Sequence, residues 1–149
     1  MTGYLLDTNV ISELAPGRAT RDVRVVNWLE ANSGALFLSV VTVAEIEAGI
    51  ALAFHKGASG KAGRLAAWLD AVLRLYGSRI LGCDVPLARV SGTMFGKARS
   101  EGLSPGWPDI MIAATAAHHG LTVLTRNLRH FQSLGVLVAN PFEVKVRPD

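Results

Sequence analysis

The chain reads as an α/β fold, a three-layer α/β/α sandwich with a central, mostly parallel sheet of about five strands flanked by helices. Three observations predict it. Five short apolar runs are spaced along the chain: Leu5-Leu6, Leu36-Phe37-Leu38, Arg79-Ile80-Leu81, Thr122-Val123-Leu124 and Val136-Leu137-Val138. They lack inside–outside alternation, as strands covered on both faces do. Segments of helical period lie between most of them, and strand–helix alternation makes parallel crossovers.

The elements follow in order. Asp7 and Asn9 follow the first strand and suit the cap of a short helix beginning near Val10. After the second strand, Thr42-x-x-Glu45 is a capping box, so a helix should start there, with Val43, Ile46, Ile50 and Phe54 on its inner face. The stretch from His55 to Gly63, with Lys56 and Lys61, reads as an exposed basic loop. Leu65, Trp68, Leu69, Val72 and Tyr76 share the next helical face, and Leu87, Val90, Met94 and Ala98 another. Cys83 lies in the apolar run Ile80-Leu81-Gly82-Cys83 and is expected to be a small buried side chain. The segment Ile110 to Ala117 is apolar nearly all round and rich in alanine, which predicts a central helix packed close to the sheet. Gly120 is its stop. Lys145 to Asp149 read as a frayed end.

Composition narrows the class. With 149 residues, half of them apolar, the chain is one domain (1–149, core about 3–142) able to build a full core. No apolar run approaches the roughly 18–20 residues of a membrane helix. A single cysteine and the absence of a signal-peptide layout point to the cytoplasm. Fifteen basic against twelve acidic residues give +3, a bias that gains meaning if several acids are committed to a cation.

Asp7, Glu45 and Asp109 carry the chemistry. Alone, each has a structural explanation: a cap, a capping box, and an acid in a first helical turn after Pro108. Together they fall at helix N-termini, which in this architecture lie at the carboxyl edge of the sheet, where open α/β sheets bind ligands. Clustered carboxylates repel unless a cation compensates. Oxygen donors suit Mg²⁺ or Mn²⁺, whereas no thiolate cluster or HExxH spacing offers a zinc site. Thr125 and Asn127 should project at the same edge, to hold a water or orient a carboxylate, with simple turn formation an equal alternative. Arg126 and Arg129 are candidates for phosphate contacts, although solvated surface arginines are commoner. Lys56, Lys61, Arg64, Lys97 and Arg99 read more readily as solvated surface than as a substrate path. Trp107 suits a core or interface at least as well as base stacking.

These motifs, in this order, resemble PIN-domain ribonucleases, and within them the VapC/FitB-like toxins of toxin–antitoxin pairs. The resemblance rests on Leu6-Asp7-Thr8-Asn9, Thr42-x-x-Glu45, Asp109-Ile110-Met111-Ile112-Ala113-Ala114-Thr115-Ala116, Thr125-Arg126-Asn127 and Asn140-Pro141-Phe142. It implies a Mg²⁺- or Mn²⁺-dependent endoribonuclease that hydrolyses RNA with water as the nucleophile. Asp7, Glu45 and Asp109 would be its metal ligands and catalytic acids, supported by Thr8, Asn9, Thr125 and Asn127. It also implies a homodimer and a small cognate antitoxin. Many members carry a fourth acid in or just after the turn at 125–127; here Asn127 and His130 stand in those places. That departure keeps open a PIN module that binds nucleic acid or an antitoxin without cutting.

Other phosphate chemistries fit less well. A phosphoaspartate phosphatase needs a second Asp where Asn9 stands, and a receiver domain needs an acidic pair that Leu6-Asp7 does not supply. The glycine–lysine pairs at Gly57-x-x-Gly60-Lys61 and Gly92-x-x-x-Gly96-Lys97 have the wrong spacing for a P-loop.

Overall fold

In a computed structural model, which describes residues 3–143, a five-stranded parallel sheet runs in the order β3-β2-β1-β4-β5. Its strands are β1 (Tyr4–Leu6), β2 (Leu36–Ser39), β3 (Ile80–Leu81), β4 (Thr122–Leu124) and β5 (Val138–Ala139). All five expected strands are present, the last shifted two residues toward the C-terminus. Seven α-helices accompany them: α1 (Thr8–Ile11), α2 (Val23–Ala31), α3 (Val40–His55), α4 (Ser59–Tyr76), α5 (Val85–Ser100), α6 (Trp107–His119) and α7 (Leu128–Gln132). The expected end at Lys145 to Asp149 lies outside the described residues.

Alternation along each strand divides the core in two. Leu6, Leu36, Leu38 and Leu124 face a cluster that includes Val10, Val25, Leu29, Ile46, Ile50, Leu69, Val72 and Tyr76, from α1 to α4. Leu5 and Val123 face the other side, with Ile112, Ala113 and Ala116 of α6 and Phe131 of α7. Three layers result because each strand side chain points opposite to its neighbour. The alanines let α6 lie close to the sheet, and its buried Thr115 satisfies its hydroxyl on the Met111 carbonyl at 2.6 Å. Gly120 closes α6 in the left-handed conformation, with φ +66°.

Four local expectations need correction. Helix α3 begins at Val40, capped by Ser39 Oγ, which accepts the Val41 N–H at 3.0 Å. Thr42 is therefore inside the helix and fully buried rather than a cap, and Glu45 sits in the second turn. Phe54, placed on the inner face by its period, is 61% exposed, because the inner face runs from Ile46 and Ile50 through Ala53 instead, one position round the helix. The basic loop shrinks to residues 56–58: Lys61 is on α4, and Ala62 is buried against the core. Cys83 is exposed, since β3 ends at Leu81 and the chain turns outward to the Asp84 cap of α5. Helix α2 was not foreseen; Asp22 caps it by accepting the Arg24 N–H at 3.0 Å.

The strand order sets the position of the site. The chain works outward from β1 to β3, then resumes on the other side of β1 with β4 and β5. The reversal leaves a crevice at the carboxyl ends of β1 and β4, where the connections leave in opposite directions. Asp7 follows β1 and Thr125 follows β4.

Candidate active site

Asp7 is 6% exposed and bridges the two sides of that crevice. Its Oδ1 accepts the Thr8 N–H at 2.8 Å, so it does cap α1, while Oδ2 accepts the Thr125 hydroxyl at 2.8 Å. The backbone ties in as well, with the Asp7 N–H donating to the Leu124 carbonyl at 2.9 Å. Burial pushes the Asp7 carboxyl above its ordinary value of 3.8, the Thr125 and Thr8 hydrogen bonds pull it back, and the charges of Asp109 and Glu45 raise it again. The net shift is upward. Both other acids thus lie within electrostatic range of Asp7.

Their surroundings differ. Glu45 lies exposed on α3, and its Oε1 accepts the Thr8 hydroxyl at 2.7 Å; that hydroxyl also lies 3.1 Å from the Thr42 hydroxyl. Asp109 stands in the first turn of α6, whose N-cap Gly106 offers no side chain, and its Oδ2 is 3.6 Å from His130 Nδ1 on α7. Asp109 and His130 share the wall of a cleft of about 290 Å³ with Ser104, Pro105, Gly106 and Ser133. Trp107, half exposed, stacks on Phe95 with centroids 4.4 Å apart and planes 6° apart, so one of its faces is already covered.

The supporting residues divide similarly. Thr8 and Thr125 each place a hydroxyl on an acid. Asn127 enters through its backbone N–H, which donates to Thr125 Oγ1 at 2.9 Å, and its side chain caps nothing at α7. Asn9 has a buried Oδ1 without a hydrogen-bond partner among the described residues, a rare state for a buried polar atom.

Among the described residues, no three His, Cys, Asp or Glu side chains come close enough together to hold an ion on their own. This bears on the metal the fold family implies. Mg²⁺ retains several waters and takes one or two carboxylates, in contrast to an all-protein cage. A buried carboxylate repelled by two neighbouring acids, with an unpartnered amide oxygen two residues away, fits such a hydrated hard ion and does not fit a closed three-acid shell.

Sequence reasoning missed Glu13. It is 1% exposed and paired with Arg126 at 2.6 Å and Arg18 at 3.0 Å. The only available signal was an acid between Ile11 and Leu14, and its partners lie 5 and 113 residues along the chain.

Comparison with known proteins agrees with this geometry. The PIN-domain family description matches residues 4–137. Toxin FitB of Neisseria gonorrhoeae is 39% identical over 140 residues, spanning 93% of this chain and 97% of that protein. VapC ribonuclease Y4jK of Sinorhizobium fredii is 36% identical over 141 residues, again 93% of this chain and 97% of the relative. Among solved structures, that of FitAcB from Neisseria gonorrhoeae superposes with a TM-score of 0.83 at 38% identity, covering 95% of this chain and 99% of that one. With matching architecture, whole-length similarity and the acid-lined edge in place, this chain belongs to the PIN-domain family, alongside Toxin FitB and VapC ribonuclease Y4jK.

Proposed function

We propose that this protein is a Mg²⁺- or Mn²⁺-dependent endoribonuclease acting as the toxin of a toxin–antitoxin pair. The observation that carries the reading is Asp7: a doubly hydrogen-bonded carboxylate at the switch point of the sheet, pushed up mainly by its burial and further by the charges of Asp109 and Glu45. A carboxylate in that state gains from a cation and has no structural need of its acidic neighbours.

Asp7 and Asp109 would hold the ion, directly or through water, with Glu45 at the outer side of the shell. Once bound, such an ion supplies Lewis-acid polarisation of the phosphate and a more acidic water. The protein's own residues do the rest. Thr125 orients Oδ2 of Asp7 and the Thr8 N–H holds its Oδ1, while the Thr8 hydroxyl holds Oε1 of Glu45 and leaves Oε2 to accept a proton from an approaching water. The cleft beside Asp109 gives the substrate room at this edge. A second cleft, of about 570 Å³, is walled by Arg18, Arg21, Arg24 and Arg126 with Glu13 and Asp22, a net cationic surface suited to a polyanion.

The relatives' names, Toxin FitB and VapC ribonuclease Y4jK, support both the activity and its control by an antitoxin. Exposed Leu52, Phe54 and Leu75, and an apolar cleft of about 250 Å³ between α2 and α4, support binding of a protein partner, whether a second copy or an antitoxin. No helix of the described residues is long and apolar enough to cross a membrane.

The test is substitution of the acids. Asp7→Asn or Asp109→Asn should lower RNA cleavage on the order of 100-fold or more, comparable to loss of a main transition-state contact, with the circular dichroism spectrum unchanged. Wild-type cleavage by either variant in Mg²⁺ would overturn the assignment. The absence of a closed three-acid cluster among the described residues favours one alternative, a PIN module that binds nucleic acid or the antitoxin without cutting. Stabilisation by Mn²⁺ that requires Asp7 separates the two.

A further inference from the structure

Glu13 and Asp7 are the two buried acids among the described residues, and the mechanism uses only one of them. Glu13 Oε1 meets Arg126 Nη2 at 2.6 Å and Arg18 Nη2 at 3.0 Å, and Oε2 accepts the Asp22 N–H at 3.4 Å. The Arg126 guanidinium carbon also lies 3.7 Å from the centroid of the Phe142 ring. Although its side chain is 45% exposed and stands between a strand and a short helix, Arg126 is fixed on two sides.

A buried ion pair is a weak source of stability, because desolvating both charges offsets their attraction. What this one fixes is position. The segment from Asp7 to Glu13 and the turn from Leu124 to Asn127 are joined three times: Asp7 N–H to the Leu124 carbonyl at 2.9 Å, Thr125 hydroxyl to Asp7 Oδ2 at 2.8 Å, and Arg126 to Glu13. Thr125 Oγ1 also accepts the Asn127 N–H at 2.9 Å, so its single proton is committed to Asp7. Arg126, between those two residues, is the turn's side-chain anchor to the α1 side of the crevice.

We propose that Glu13 is a positioning residue: by clamping Arg126 it holds the Thr125 hydroxyl on the Asp7 carboxylate. The inference rests on Asp7 being the site carboxylate. Thr125 acts on Asp7 directly, and Glu13 acts through the turn that carries Thr125.

The experiment compares wild type, Glu13→Gln, Thr125→Val and the double variant, using a fluorogenic oligoribonucleotide with Mn²⁺ well below each melting temperature. Glu13→Gln should lower kcat about tenfold with KM changed less than about threefold, the signature of a misplaced group. In the Thr125→Val background the same substitution should change kcat less than about twofold, because the two act as a unit. An equal loss in both backgrounds, or a lower melting temperature with kcat intact, overturns the proposal. Amide exchange at Asn127 supplies a readout that needs no catalysis. Arg126→Lys keeps the charge but loses the fork and the stack, and should speed that exchange about tenfold. Unchanged exchange overturns the clamp even if Glu13→Gln fails to fold. A wild type that cuts no RNA, with exchange accelerated in Arg126→Lys, would reject the nuclease reading and leave the clamp standing.

Discussion

Asp7 shows how a residue's chemistry depends on its surroundings. Its folded-state carboxyl lies above 3.8, with burial the largest cause, so the folded protein binds that proton more tightly than the unfolded chain. Its contribution to stability is therefore greatest below about pH 3.8 and is lost as pH rises through the raised folded value. Without metal, Asp7→Asn should raise stability at neutral pH and flatten the acid side of the stability curve. Urea titrations at several pH values in EDTA check this; an Asn variant less stable at pH 7 would contradict it. The candidate acids were legible as residue types at chain positions. The burial of Asp7 and its repulsion by Glu45 and Asp109 were not, because those arise between residues 38 and 102 positions apart along the chain.

Helices were legible where one residue type forces the outcome. Gly120 stops α6 because its φ of +66° is strained for any residue with a Cβ, and Gly120→Ala should cost about 1 kcal/mol or more in urea unfolding. Caps were less legible. Both Ser39 and Thr42 satisfy the local rules for starting α3, and Thr42-x-x-Glu45 matches the stronger pattern. The helix starts at the earlier residue because β2 ends there and Thr42 is needed inside, against Thr8. Ser39→Ala should therefore lower stability by about 1 kcal/mol through loss of the cap. Thr42→Ala should act mainly on the Thr8–Glu45 contact, and a lower cleavage rate at matched folded fraction would show it. Equal capping losses at both positions would mean that the helix start is misassigned. Cys83 and Phe54 belong to the same lesson: Cys83 follows the end of β3, and Phe54 gives its place on the inner face of α3 to Ala53.

For the whole molecule, ion binding and folding are linked. A ligand that binds only the folded state at 100 times its dissociation constant stabilises by about 2.7 kcal/mol, or roughly 5–10 °C for a chain of this size. Mn²⁺ should produce a shift of that order in the wild type and little in Asp7→Asn. An equal shift in both would place the ion elsewhere. The exposed apolar side chains of α3 and α4 predict self-association, checked by light scattering across a concentration series, with a monomer at all concentrations as the contrary result.

The sequence by itself determined the layered architecture, the five strands and the identity of the three acids. Apolar runs, helical period and turn residues are local, and each constrains its own segment. The tertiary structure alone decided that no three acids among the described residues converge closely enough to hold an ion on their own. It also decided that Glu13 is buried, and that Thr8 and Thr125 hold the carboxylates from opposite sides of the crevice. Those are distances between segments far apart in the chain, fixed by how the layers pack.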